Sequence, residues 1–306
     1  MLIINTLIPI FLLILLGYFF KTIKFPDESF WKHLDRFNYF VLFPALLINK
    51  LLTADIRNIT SFDFIVVTFI SLIVISVILI IINQKLKFEK SAFTSIYQGA
   101  IRFNTYVFLA LIDALLSTEG FVLAMLLITF IIPVVNVFCI SVFSVYVPKN
   151  KITVISFAKS ILKNPLILSC IFGGTVNLLG FTFPDVIRNT LSIMSSAALP
   201  LGLLSVGVGL HLSEIKDTKM AMIVSSVAKL LVLPLIIFLI GGVFGLESDK
   251  MVLLILFASM PTASSAYVLA RELGGDLKLI SSIISIQTIL SIFTISIIIW
   301  LLDIAI

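Results

Sequence analysis

The chain has 306 residues, 60% hydrophobic and only 12% charged, with a formal net charge of +5. An ordinary soluble domain is about one quarter charged, and here the mean hydropathy is +1.22. Too few charges are available to cover a water-facing surface, which excludes a disordered chain, a secreted disulfide scaffold and an ordinary cytosolic enzyme. A membrane span takes about 20 mainly apolar residues, so ten spans use most of the chain and leave short loops. The composition predicts an all-α polytopic membrane protein built as one unit, with the lipid bilayer as its surroundings.

In chain order the predicted spans fall near residues 3–20, 31–53, 62–83, 92–116, 120–146, 153–179, 185–210, 218–243, 250–270 and 277–302. The first reads as a retained helix. It lacks a basic leader, and Lys21 and Lys24 follow it where a signal peptide would carry small residues for cleavage. Cys139 and Cys170 fall inside apolar runs and read as small core residues, with no metal site indicated.

The odd-numbered loops hold 15 Lys and Arg residues and the even-numbered loops 4. Only Arg102 and Lys229 remain inside spans. The positive-inside rule therefore places the basic loops in the cytoplasm and both termini outside the cell membrane. Topology accounts for the basic balance, so no nucleic-acid partner is predicted.

Five spans precede the basic loop at Lys149–Lys151 and five follow it. An odd number per half inserts the halves in opposite orientations, the inverted repeat of many secondary transporters. The expected division is 1–148 for the first five-helix repeat and 149–306 for the second. A shift of 156 residues carries Pro44 onto Pro200 and Asn104 onto Met260, next to Pro261.

The fourth and ninth spans are poor plain helices. The fourth holds Gln98, Gly99, Arg102, Asn104 and Thr105, placing a guanidinium and two amides near mid-span. An arginine there costs about 2.5–3.5 kcal/mol on insertion scales. The ninth holds Ser259, Pro261, Thr262, Ser264 and Ser265. Pro261 removes a backbone donor, and the hydroxyls can serve the freed carbonyls. Breaks at matching places in two halves point to a midplane binding site.

The order and spacing of several motifs resemble the auxin efflux carrier family over essentially the whole chain. They include Phe43-Pro44-Ala45-Leu46-Leu47, Gln98-Gly99 with Asn104-Thr105, Asn164-Pro165, Leu199-Pro200-Leu201, Lys229 before Pro234, and Pro261 followed by Ala270-Arg271-Glu272-Leu273-Gly274-Gly275-Asp276. The resemblance implies ten helices in two inverted halves, with crossed broken helices four and nine. It also implies a small organic anion as substrate, since plant members export auxin and bacterial members include permeases for malate and malonate. A homodimer is implied by the resemblance alone. The run Thr105-Tyr106-Val107-Phe108 lacks the glycine or proline that members often carry there, and so leaves the unwinding point open.

On this reading Arg102, Asn104, Thr105, Pro261, Thr262, Ser264 and Ser265 form the substrate site. Asn104 can cap the second half-helix and donate to a carboxylate, while half-helix dipoles add positive potential. Arg102 attracts the anion, pairs with a distant carboxylate or reaches the headgroups. Lys229 is a support residue, holding the crossover with a fixed positive charge where a coupling cation would otherwise sit. Asp113 is either a proton-coupling group or a wet residue near the outer face. No cofactor or catalytic residue is predicted: the sequence has no His-Glu-x-x-His zinc motif and no Walker A loop. Transport must then run on ion or solute gradients. The leading expectation is a secondary or facilitative permease for a carboxylate, working by alternating access. A sodium-coupled carboxylate symporter of bile-acid-carrier type and a transporter-like anion sensor or channel are the alternatives.

Overall fold

The computed structural model describes residues 2–54, 62–147, 164–211 and 219–302. The predicted Lys149–Lys151 loop lies outside the described residues, as do Lys159, Lys163 and Asp303. In chain order the helices are α1 (Leu2–Thr22), α2 (Glu28–Phe37), α3 (Phe43–Thr53), α4 (Asp63–Leu86), α5 (Lys90–Ile101), α6 (Thr105–Leu115), α7 (Thr118–Tyr146), α8 (Pro165–Leu178), α9 (Asp185–Val208), α10 (Lys219–Val227), α11 (Leu233–Val243), α12 (Ser248–Ala258), α13 (Ser265–Leu273) and α14 (Leu277–Leu301). The described residues contain no strand.

Five of the helical stretches are long and apolar enough to cross a bilayer: Asp63–Leu86, Thr118–Tyr146, Asp185–Val208, Met220–Val243 and Leu277–Leu301. Leu7–Thr22 and Pro165–Leu178 are shorter apolar helices. The predicted fourth and ninth spans are each divided by non-helical residues, while the second and eighth run on through a π turn. Alpha-4 shows what such a helix does with its two sides. Phe64, Val67, Leu72 and Ile75 are fully buried, while Val66, Phe69, Ile73, Val77 and Ile81 are exposed. Apolar residues all round suit a helix with protein on one side and lipid on the other.

Two π turns interrupt regular helix, Asn38–Leu42 between α2 and α3 and Ala228–Val232 between α10 and α11. Each is followed by a proline at the second residue of the next helix, Pro44 and Pro234. A proline ring crowds the carbonyl four residues back and offers it no N–H. A wider turn before the proline relieves that clash. Each π turn also buries one polar side chain, Asn38 or Lys229.

The chain divides into two compact units that interleave along the sequence, so neither unit coincides with the 1–148 or 149–306 half. The first draws on residues within 1–61, 109–129 and 154–209. There α1 lies so close to α9 that a Cβ on Gly17 would strike the Leu204 carbonyl, and one on Gly207 the Ile14 carbonyl. Asn38 Nδ2 donates to the Ala198 carbonyl at 3.0 Å. Asn177 Nδ2 donates to the carbonyls of Leu51 and Ala54 at 2.7 and 2.8 Å, serving the C-terminal acceptors of α3.

The second unit draws on residues within 62–108, 130–153 and 210–306. Its core includes Phe143, Ala266, Ala270, Leu273, Ile280 and Ile284. Lys250 joins the start of α4 to the start of α12 through Asp63 (3.5 Å) and Glu247 (3.1 Å). Asp276 caps α14 by accepting from Leu279 N, and its carbonyl accepts from Ser95 Oγ of α5. The turn before it uses Gly274 at φ +84°, a conformation that glycine adopts without penalty.

Candidate functional site

Within the second unit, the predicted fourth span breaks after Ile101. Arg102–Asn104 are non-helical, with Arg102 extended at φ −73° and ψ 155°, before α6 starts at Thr105. The unwinding point left open by the sequence therefore lies before Asn104, and Arg102 belongs to the break itself. The predicted ninth span breaks over residues 259–264, where Pro261 has no N–H with which to continue α12. The two breaks touch: the Asn104 N–H donates to the Pro261 carbonyl at 2.8 Å.

A side chain from α14 fastens this contact. Gln287 Oε1 accepts from Thr262 N (3.0 Å) and faces Thr262 Oγ1 (2.8 Å). Gln287 Nε2 donates to the Gly99 carbonyl at 3.0 Å. Thr262 Oγ1 is also 2.6 Å from that carbonyl, and its single proton serves one acceptor at a time. Ser225 Oγ of α10 donates to the Ile96 carbonyl at 3.1 Å. A Cβ on Gly99 would lie 2.3 Å from Ser225 Oγ and 2.6 Å from Ile283 Cγ2, so the glycine lets these side chains approach the α5 backbone. Thr262 is thus fully buried, with its hydroxyl used in holding the breaks together.

Asn104 caps α6, its Oδ1 accepting from Tyr106 N at 3.1 Å and Val107 N at 3.2 Å. Its Nδ2 has no hydrogen-bond partner among the described residues. Arg102 is half-buried and donates to Asn136 Oδ1 of α7 and Ser265 Oγ of α13, both at 3.0 Å. Among the described residues no carboxylate pairs with it. Ser264 and Ser265 are exposed, Thr105 is half-buried and Pro261 is buried. Arg102, Asn104, Thr105, Ser264 and Ser265 therefore surround the starts of two half-helices, α6 and α13. Those starts carry partial positive charge, although Asn104 Oδ1 takes up the Tyr106 and Val107 N–H groups of α6, and the carbonyls of Ala263 and Ser264 take up those of Ala266 and Tyr267 in α13.

Lys229 is fully buried in its π turn, and Nζ has no hydrogen-bond partner among the described residues. Nζ stands over the face of the Phe257 ring, 5.6 Å from its centroid.

Asp113 falls in the first unit and forms an ion pair with Lys50, which also stands over the Phe121 ring at 4.8 Å. Both side chains of the pair are partly exposed, at 27% for Lys50 and 38% for Asp113. Exposed pairs are worth about 0–1 kcal/mol. Asp113→Asn is therefore expected to lower stability by under about 1 kcal/mol, checked by thermal unfolding in detergent. A larger loss would give the carboxylate a second role.

Sequence reasoning missed Asn136, Gln287 and Phe257. The two amides were visible as polar residues inside apolar runs. The phenylalanine gave no signal among 27 of its kind.

Two helix breaks that touch, with polar residues around them and apolar helices beside them, are what an integral membrane transporter is expected to show. The chain belongs to the membrane transport protein family, whose model matches residues 2–299. It is 24% identical to a Rhizobium meliloti protein named "Putative malonate transporter", over 94% of this chain and 92% of that one. An uncharacterized transporter of Methanocaldococcus jannaschii is 29% identical over 48% of this chain and 49% of its own length. One from Methanothermobacter thermautotrophicus is 34% identical over 42% of each chain.

Proposed function

We propose that this membrane transport protein is a secondary carrier for small organic anions, carboxylates in particular. It works by alternating access, with the substrate at the crossing of the two helix breaks. The observation that carries the reading is Arg102, a guanidinium inside a break whose hydrogen-bond partners, Asn136 and Ser265, are both neutral. A charge there needs a counter-ion, and an anionic substrate supplies one. The partial positive charge at the starts of α6 and α13 favours an anion there, and the free Asn104 Nδ2 is a donor suited to a carboxylate.

The reading includes ten spans in two inverted repeats, 1–148 and 149–306, with both termini outside. The alternation of basic loops supports it, as does the 156-residue offset that carries Asn104 beside Pro261. Lys229 acts as a fixed positive charge that supports the crossing without a bound cation.

The name of the Rhizobium relative makes malonate the first substrate to test. Purified protein in liposomes is expected to take up labelled malonate, and to do so when choline replaces sodium. Asn104→Ala is expected to lower uptake about tenfold, the worth of a hydrogen bond to a charged group, while folded protein remains in the membrane. Strict sodium dependence would move the reading to a sodium-coupled symporter. Uptake of neutral solutes with no uptake across a panel of carboxylates would overturn it.

A further inference from the structure

We propose that Phe257 is a positioning residue for the crossing, joining the buried charge of Lys229 to the Arg102–Asn104 break. The inference rests on the crossing being the substrate site. Phe257 sits in the last turn of α12 and is fully buried. Lys229 Nζ stands 5.6 Å from its ring centroid, inside the distance of about 6 Å at which a cation is drawn to an aromatic face. Among the described residues no hydrogen bond competes for Nζ. The C-terminal end of α12 carries partial negative charge, which also favours a cation there.

The same ring meets the break. Its centroid lies 4.5 Å from that of Phe103 at 63°, and 5.6 Å from that of Phe108 at 78°. Phe103 and Phe108 meet each other at 6.3 Å and 84°. These edge-to-face arrangements are the ones that aromatic quadrupoles prefer. Phe103 is the middle residue of the break, bonded directly to Arg102 and Asn104, and Phe108 is the residue whose N–H donates to the Asn104 carbonyl. The chain of contact runs from Lys229 through Phe257 to the backbone that carries both site residues. An aliphatic side chain there would offer no negative face to Nζ and no ring to Phe103.

Fluorination tests this, because it drains the negative face of the ring while barely changing its shape. Mono-, di- and trifluorophenylalanine are to be placed at position 257, and uptake of labelled malonate measured in liposomes. The KM is expected to rise stepwise, to about tenfold for the trifluoro ring, with kcat within about twofold. In Lys229→Met the series should flatten markedly, since the cation is gone and only the ring's contacts with Phe103 and Phe108 remain. A second readout needs no substrate: the rate at which Ser264→Cys reacts with a maleimide, in a background with Cys139→Ala and Cys170→Ala. That rate is expected to change in the same order across the ring series. A flat series in both readouts, in protein that transports malonate, would overturn the proposal and leave the carrier reading intact. If neither malonate nor any other carboxylate of the panel is transported, the carrier reading is what fails. The labelling series then decides alone: graded rates support the positioning role, and equal rates overturn it.

Discussion

Arg102→Gln is expected to cost carboxylate uptake about 10- to 100-fold, the worth of a charged hydrogen bond removed from a shielded site. Glutamine keeps a donor near Asn136 and Ser265 but removes the charge, so the local structure has a means of staying in place. Binding should weaken in step with uptake, because the guanidinium acts on the bound anion as well as on its passage. Arg102→Lys should recover only part of the loss, since an ammonium cannot reach Asn136 Oδ1, Ser265 Oγ and a carboxylate with one planar fork. The check is malonate uptake and direct binding, measured beside thermal unfolding. Unchanged affinity in Arg102→Gln would show that the neutral partners already satisfy the arginine and that the anion binds elsewhere.

Much of this site was legible in the sequence because polar groups inside apolar runs stand out. Arg102 and Asn104 stand out for that reason and Pro261 as a helix breaker, and the bond from Asn104 N to the Pro261 carbonyl brings the breaks together. The outcome for Thr262 was not legible. Its buried hydroxyl is used by Gly99 and Gln287, contacts made across 163 and 25 positions of sequence that no local pattern reports. Lys50 as the partner of Asp113 was hidden for the same reason, being 63 positions away. The π turns before Pro44 and Pro234 were visible only as prolines, because sequence marks the cause of a distortion and not which way the helix absorbs it. The units were also hidden, since a division that interleaves segments is a property of packing and leaves no boundary in composition.

The close approach of α1 and α9 yields the largest expected effect on folding. Membrane helices draw no hydrophobic force from lipid, so small residues that let backbones meet carry much of their association. Gly17 and Gly207 do this reciprocally: each faces a carbonyl of the other helix, from Leu204 and Ile14 respectively. A methyl group at Gly207 would land on backbone atoms, which cannot rotate aside as a side-chain end can. Gly207→Ala is therefore expected to cost about 3 kcal/mol, the upper part of the usual range for overpacking. Gly174 on α8 provides the matched comparison, because a Cβ there meets nothing within 4 Å. Gly174→Ala makes the same chemical change and should be neutral, or slightly stabilising through the better helix propensity of alanine. Both variants are to be measured by thermal unfolding and by recovery of monodisperse protein in detergent. Equal stability in the two would mean that α1 and α9 separate readily, and that the glycine contact does not hold the first unit together. Loss confined to Gly207→Ala, set against an Arg102→Gln protein that unfolds normally yet fails to bind, would separate the residues that build the fold from those that handle the anion.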